Sequence, residues 1–335
     1  MQPAYLYHFV LLFLMILLVV FIVTPYWIKK AKMAGLIGKD MHKNSELKVA
    51  EMGGITVLLG FLIGIMAYIA MRVFIFEANT QIALLLAMLT AVLIAGIIGI
   101  IDDILGWKIG LRQWQKPLLT LLVAAPIMAV NAGDKIMYIP LAGNINIGLL
   151  YPLIIIPGLI MFSANSFNML AGYNGLEAGQ GIIILSALAY LSYLNNASWV
   201  AIVALCMVFA LLGFLFYNYF PARIFPGDTL TYTVGTLIGV VAIFGNVEKA
   251  VIIILIPYLL EFSLKLRGKF QKESFALVQQ DGSLVPRYPK TYGLENWFVL
   301  MMTKLKIRAT ETRAVFCLHG FQLIFVAIAM VVSLR

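Results

Sequence analysis

The chain has 335 residues, 62% of them hydrophobic and 12% charged, about half the charged share of a soluble domain. That excludes a soluble globular protein and leaves a membrane-embedded one. The net charge of +9 would suit a nucleic-acid binder, but the cations lie in loops between apolar runs, where lipid headgroups are the natural counter-charge and no nucleic acid is expected.

Apolar runs fall at roughly 5–27, 52–74, 82–101, 117–130, 148–163, 180–194, 199–217, 229–244, 250–264 and 314–334, most near the ~20 residues of a crossing helix. Those at 117–130, 148–163 and 180–194 are short, so some helices are expected to start inside the adjoining polar motifs. The expected fold is all-α: a polytopic membrane helix bundle of about ten transmembrane helices. Residues 1–335 would form a single domain with a long loop at about 265–313. Most basic residues, among them Lys29, Lys30, Lys32, Lys116, Arg223 and those from Lys265 to Arg313, fall in loops on one side. Only Arg72, Lys135, Lys249 and Arg335 fall on the other. The positive-inside rule makes the basic side cytosolic and puts both termini on the extracytosolic side. The first run lacks a positive flank and a small-residue cleavage site, so it reads as a helix and not as a signal peptide. Cys206 and Cys317 read as packing residues, and His8, His42 and His319 have no metal-ligand spacing.

In chain order, the first basic loop ends in Glu51-Met-Gly53-Gly54, a sign of close backbone approach to a ligand or a helix. The third run ends in Asp102-Asp103. Adjacent helical residues point about 100° apart, so the two acids serve different partners, and a helix C-terminus is a poor place for negative charge unless it is used. Lys116, at the start of the fourth run, is a candidate counter-ion or phosphate contact. Asn165 to Gln180 carries Asn165, Asn168, Asn174 and Glu177 with three glycines between two apolar runs. Asn165 and Asn168 share a helix face, and the stretch either lines a polar cavity or caps two helices. Phe225-Pro-Gly-Asp228-Thr229 opens the eighth run. The topology drawn from basic residues alone brings Asp102, Asp103, Asn168, Asn174, Glu177 and Asp228 to one membrane face, together with Lys116 and Arg223. Asn296 to Lys306 interleaves apolar residues with lysines as an interfacial segment would.

Carboxylates and carboxamides are hard ligands suited to Mg2+ or Mn2+, which take few protein ligands and complete their shell with phosphate and water. Asp228 with Asn168 would suffice. Lys116, Arg223 and Arg287 would neutralise phosphates, and a second carboxylate would orient or deprotonate an attacking oxygen. No Walker loop or dinucleotide glycine motif is present.

The chain resembles the polyprenyl-phosphate N-acetylhexosamine-1-phosphate transferases. The matching pieces are Asp102-Asp103, Asn165-x-x-Asn168-x-x-Ala171-Gly-x-Asn174-Gly-Leu-Glu177-Ala-Gly and Phe225-Pro-Gly-Asp228-Thr229. Asn174 and Glu177 look like the eukaryotic and archaeal branch. The resemblance implies UDP-N-acetylglucosamine as donor, dolichyl or a related polyprenyl phosphate as acceptor, UMP as leaving group, Mg2+ as cofactor and an arrangement that allows a homodimer. It implies that Asn168 and Asp228 hold the metal, that Asp102 and Asp103 serve the acceptor phosphate, that Lys116 contacts phosphate and that Asn174 meets the uracil. Asn165, Glu177, Arg223, Arg287 and Glu51 are the remaining substrate-binding candidates. Two departures stand out. The family's last cytosolic loop carries a histidine motif, for which Arg287, helped by Lys290, would substitute, and Gly106 stands where eukaryotic relatives place an amide. The rivals are a bacterial-type undecaprenyl-phosphate transferase and an ion-coupled transporter.

Overall fold

The computed structural model describes residues 6–41, 43, 48–139 and 143–334; His42 lies outside them. Helix α1 (Leu6–Met33) leads into an antiparallel hairpin, β1 (Ile37–Lys39) with β2 (Lys48–Ala50). Helices α2 (Gly54–Phe74) and α3 (Ile82–Ile109) follow, then α4 (Gln115–Val123), α5 (Ala125–Ala129) and a second hairpin, β3 (Ile136–Ile139) with β4 (Gly143–Asn146). A π-helical turn (Tyr151–Ile155) runs into α6 (Ile156–Met169). Helices α7 (Leu176–Leu194), α8 (Ser198–Asn218), α9 (Gly227–Phe244), α10 (Glu248–Ile254) and α11 (Ile256–Arg267) complete the middle of the chain. A third hairpin, β5 (Leu277–Val278) with β6 (Leu284–Val285), and α12 (Leu294–Lys304) occupy the long loop before α13 (Glu311–Ser333).

The molecule is therefore nearly all-helical, with 8 helical segments among the described residues long and apolar enough to cross a membrane. The two remaining apolar runs are each divided, at Ala124 and at Leu255. Pro126 and Pro257 lie two residues beyond these breaks. A proline donates no bond to the preceding turn and its ring clashes with the carbonyl four residues back. Pro152 stands in the first positions of the π-turn and Pro157 two residues beyond its end. The short runs do extend into the polar motifs. Helix α6 continues to Met169 and α7 begins at Leu176, so Asn165 and Asn168 lie on α6 and Glu177 in the first turn of α7. The third run does not stop at its acids: helix geometry continues through Asp103 and breaks only at Gly106 (φ 66°, ψ 173°). The acid pair thus sits inside the last regular turn, where it can face neighbouring helices.

Helix α9 is the hub. Every residue from Thr229 to Ile243 is buried, between α3 on one side and α6 on the other. Its start is fixed by backbone approach permitted by glycine. A Cβ on Gly99 would lie 2.5 Å from the Thr229 Cα, and one on Gly54 would lie 2.3 Å from the Leu230 nitrogen. The Gly53 and Gly54 N–H groups donate to the Phe225 and Pro226 carbonyls at 2.9 and 2.8 Å, so the Gly53-Gly54 signal marks helix approach. The first N–H groups of α9 have no partner within the helix. Asp103 supplies one from α3, its carboxylate accepting from the Asp228 N–H at 2.7 Å, the Thr229 N–H at 3.0 Å and the Thr229 hydroxyl at 2.6 Å.

Two stability predictions follow from this junction. Asp103→Ala should destabilise the detergent-solubilised protein by about 1–3 kcal/mol, the cost of buried donors left without an acceptor. Gly99→Leu should lower the thermal midpoint by several degrees through overpacking. Gly320→Leu, at a position with open space around it, should leave the midpoint nearly unchanged. A Gly99→Leu protein as stable as wild type would contradict the α3–α9 contact.

Candidate active site

The adjacent acids of α3 divide as their helical angle requires. Asp103 is committed to the start of α9, whereas Asp102 turns towards α4. One Asp102 oxygen accepts the Leu111 N–H at 2.8 Å and the other pairs with the Lys116 ammonium at 2.5 Å. The same ammonium lies 3.0 Å from the Asp228 carboxylate. One lysine in the first turn of α4 thus ties together two helices whose acids are far apart in sequence. Asp102 and Asp228 share this single ammonium and Asp103 stands against the Asp228 backbone, so the cluster keeps a surplus of negative charge.

Asn168 reaches the same place from α6. Its Oδ1 accepts from the Thr231 hydroxyl at 3.0 Å, and that hydroxyl also meets the Asp228 backbone carbonyl at 3.2 Å. Thr231 follows Asp228 by three residues, so both lie on one face of α9. The Thr231 bond fixes which way the carboxamide oxygen points. Asn165, one turn earlier on α6, spends its amide nitrogen on the Thr120 hydroxyl (2.8 Å) and the Met161 carbonyl (2.7 Å), joining α6 to α4.

Asn168 and Asp228 stand between two cavities and line both. The first, of about 330 Å3, is walled by Lys39, Asp40 and Glu51, by the segment from Ala171 to Asn174, by Glu177, and by Phe225 and Phe275. The second, of about 320 Å3, holds three ammonium groups, Lys116, Lys265 and Lys272, with Asn165 and Tyr232. Glu51 is half-buried and its carboxyl is raised above the ordinary range by burial and by the Asp103 charge. The aromatic and carboxylate-lined cavity suits a heterocycle with hydroxyls; the lysine-lined one suits phosphate oxygens.

Two expected residues are elsewhere. The Arg223 guanidinium lies over the Tyr217 ring at 5.3 Å, is exposed and lines neither cavity. A cation–π contact with this largely buried ring holds it there. Arg287 pairs with Glu273, which does line the lysine-rich cavity, so Arg287 stands one residue behind the wall.

Sequence reading missed Thr231, Lys265, Lys272, Asp40 and Glu311. Thr231 was visible through its helical spacing from Asp228. The Lys265 ammonium pairs with Glu261 at 3.4 Å and meets the Met169 carbonyl, and nothing in its basic surroundings distinguished it. Asp40 accepts from the Asn174 amide at 3.2 Å and pairs with Lys43 at 2.7 Å; only tertiary contact reveals it.

Comparison with known proteins accords with this geometry. The profile of glycosyl transferase family 4 matches residues 84–246, which include the acid pair, Lys116, Asn168 and Asp228. A Saccharolobus solfataricus protein, provisionally named a UDP-N-acetylglucosamine–dolichyl-phosphate N-acetylglucosaminephosphotransferase, is 35% identical over 315 residues, 93% of each chain. The Dictyostelium discoideum protein of that name is 26% identical over 301 residues, 78% of this chain and 71% of its own. The phospho-N-acetylmuramoyl-pentapeptide-transferase of Lactobacillus johnsonii is 35% identical over 176 residues, about half of either chain. With its paired acids, its bridging lysine and the asparagine that faces them across α9, the chain belongs to glycosyl transferase family 4.

Proposed function

We propose that this membrane protein transfers N-acetylglucosamine-1-phosphate from UDP-N-acetylglucosamine to dolichyl or a related polyprenyl phosphate, releasing UMP. The carrying observation is the convergence of Asp102, Lys116, Asn168 and Asp228 at the junction of two cavities of different chemistry. The near full-length likeness to the Saccharolobus protein supports the dolichyl acceptor; the bacterial-type relatives match over only half their length. The basic residues at this end of the bundle favour a cytosolic active site. The two proline-broken segments would bring the crossings to ten.

The donor set fits a hard divalent cation such as Mg2+. Among the described residues no three His, Cys, Asp or Glu side chains group closely enough to cage an ion. One carboxylate and one carboxamide oxygen instead suit an ion that completes its shell with phosphate and water. Asn168 Oδ1, already oriented by Thr231, and the Asp228 carboxylate would hold it, and the surplus of acids favours its entry. When bound, the ion would offset the diphosphate charge and help UMP depart.

In the transfer itself, an acceptor phosphate oxygen attacks the β-phosphorus of the donor, and the bond from that phosphorus to the bridging oxygen breaks as UMP leaves. A phosphate monoester is mostly ionised near pH 7, with a second pKa of about 6, so little general-base assistance is needed. Asp102 therefore acts as the charge partner that aims Lys116, both of its oxygens being engaged. Lys116 would exchange its Asp228 contact for the incoming phosphates, and Lys265 and Lys272 would add to the field that draws the donor diphosphate in. Asp103 keeps Asp228 in place by holding the α9 backbone.

The test is purified protein in detergent with labelled UDP-N-acetylglucosamine and dolichyl phosphate, scored for UMP and lipid product, with undecaprenyl phosphate in a parallel arm. The expected result is transfer to dolichyl phosphate that EDTA abolishes and Mg2+ restores. Transfer only to undecaprenyl phosphate would favour the bacterial-type reaction, and sugar-independent ion flux in vesicles would favour a transporter. In the same assay Lys116→Met and Asp228→Asn should each lower kcat at least about 100-fold, the scale for losing a preorganised charge. Asn168→Ala should raise the Mg2+ half-saturation about tenfold or more. Arg223→Gln should change kcat/KM less than about threefold, because the guanidinium stays on Tyr217; a large loss would return Arg223 to the site.

A further inference from the structure

The segment between α6 and α7 forms a wall of the aromatic cavity without being helix or strand. Leu170 ends α6 with φ −95° and ψ 75°, and Gly172 and Gly175 have φ of +127° and +81°. Its backbone groups must therefore find partners outside any ladder. Three charged side chains from three helices supply partners for it and for the end of α6. The Lys265 ammonium of α11 meets the Met169 carbonyl, and Glu177 of α7 accepts the Gly172 N–H at 2.8 Å. Glu311, in the first turn of α13, accepts the Asn174 N–H at 2.7 Å.

The Glu311 contact is the one that neither the motifs nor the family resemblance would suggest. It joins residues 137 positions apart and comes from a helix that contributes nothing to the acid–lysine cluster. Glu311 is 4% exposed and Asn174 is 4% exposed, so water does not replace the bond if it is lost. The Asn174 side chain in turn donates to Asp40, which lines the same cavity. The position of one backbone nitrogen thus sets where a side chain of the cavity lining stands.

We propose that Glu311 is a positioning residue for the nucleoside end of the donor: it fixes the Asn174 backbone, and through it the wall on which a uridine diphosphate is read. The proposal rests on the reading of this cavity as the nucleotide pocket. It requires only that the acceptor oxygen be present at Glu311, so an amide there should serve nearly as well as a carboxylate. Loss of the acceptor leaves a buried N–H unpaired and frees the Asn174 loop. The acceptor lipid and the metal pair, which meet other elements, should be unaffected.

Calorimetric titration of UDP into the full-length protein, with steady-state kinetics on both substrates, tests this. Glu311→Ala is expected to weaken UDP binding and raise the KM for UDP-N-acetylglucosamine by about tenfold, the scale of one charged hydrogen bond. The KM for dolichyl phosphate and the Mg2+ half-saturation should stay within about twofold. Glu311→Gln should bind UDP within about threefold of wild type. The proposal is overturned if Glu311→Ala binds UDP like wild type, if it loses both substrates equally, or if the Gln variant is as impaired as the Ala variant. Should the Ala variant fail to fold, Glu311→Ser, too short to reach the Asn174 N–H, takes its place, and Thr310→Ala, which removes the α13 cap to Arg313 but not the Asn174 contact, is the control. A UDP defect in Thr310→Ala as large as that of the acceptor-removing Glu311 variant would mean that α13 stability alone is being read, and would overturn the proposal. Wild-type protein that binds no UDP at all would instead sink the nucleotide-pocket reading, and the role of Glu311 with it.

Discussion

The arrangement depends on how the polar start of α9 is accommodated inside an apolar bundle. A helix N-terminus presents unpaired N–H groups, and in lipid no water is at hand to satisfy them. Asp103, reaching across from α3, answers that need with three bonds. The consequence is positional. Once α9 is pinned by its first turn to the last turn of α3, Asp228 must stand beside Asp102, and Thr231 must present its hydroxyl to α6. The glycines at 54 and 99 permit the approach, and any side chain there would push the site apart.

Pinning the helices in this way brings like charges together, and Lys116 resolves the conflict. Its ammonium stands between Asp102 and Asp228, in surroundings where charges interact more strongly than in water. One ammonium does not balance three carboxylates, so the pocket favours further cations and, with Lys265 and Lys272 on its far side, the phosphates that accompany them. Structural and chemical demands therefore fall on different members of the acid pair. Asp103 holds the fold and Asp102 aims the lysine, a division that follows from two adjacent positions on one helix.

Much of this was legible in the sequence, for identifiable reasons. Long apolar runs report membrane helices because lipid leaves the backbone few alternatives, and the bases and acids sorted to one face because charges avoid hydrocarbon. The convergence of Asp102, Lys116, Asn168 and Asp228 followed from that sorting. What was not legible depends on side-chain direction or long-range contact. Arg223 sits beside the FPGD segment in sequence yet turns onto Tyr217, and Arg287 is drawn off by Glu273. The proline breaks at Ala124 and Leu255 were readable in principle, since Pro126 and Pro257 stand in plain view. Asp40 and Glu311 carry no local signal; they matter only because folding lays the first loop and the last helix against Asn174.

The central claim is that α6 and α9 present a single divalent ion to the donor diphosphate at the point where the two cavities meet. A crystal structure of the protein with Mn2+ and UDP, read by the anomalous signal of the metal, tests it most directly. The account predicts one peak about 2–2.5 Å from both the Asp228 carboxylate and Asn168 Oδ1, with the Lys116 ammonium turned to a phosphate oxygen. A peak bonded to neither residue, or UDP seated away from the cavity that Asn174 and Phe225 enclose, would contradict it.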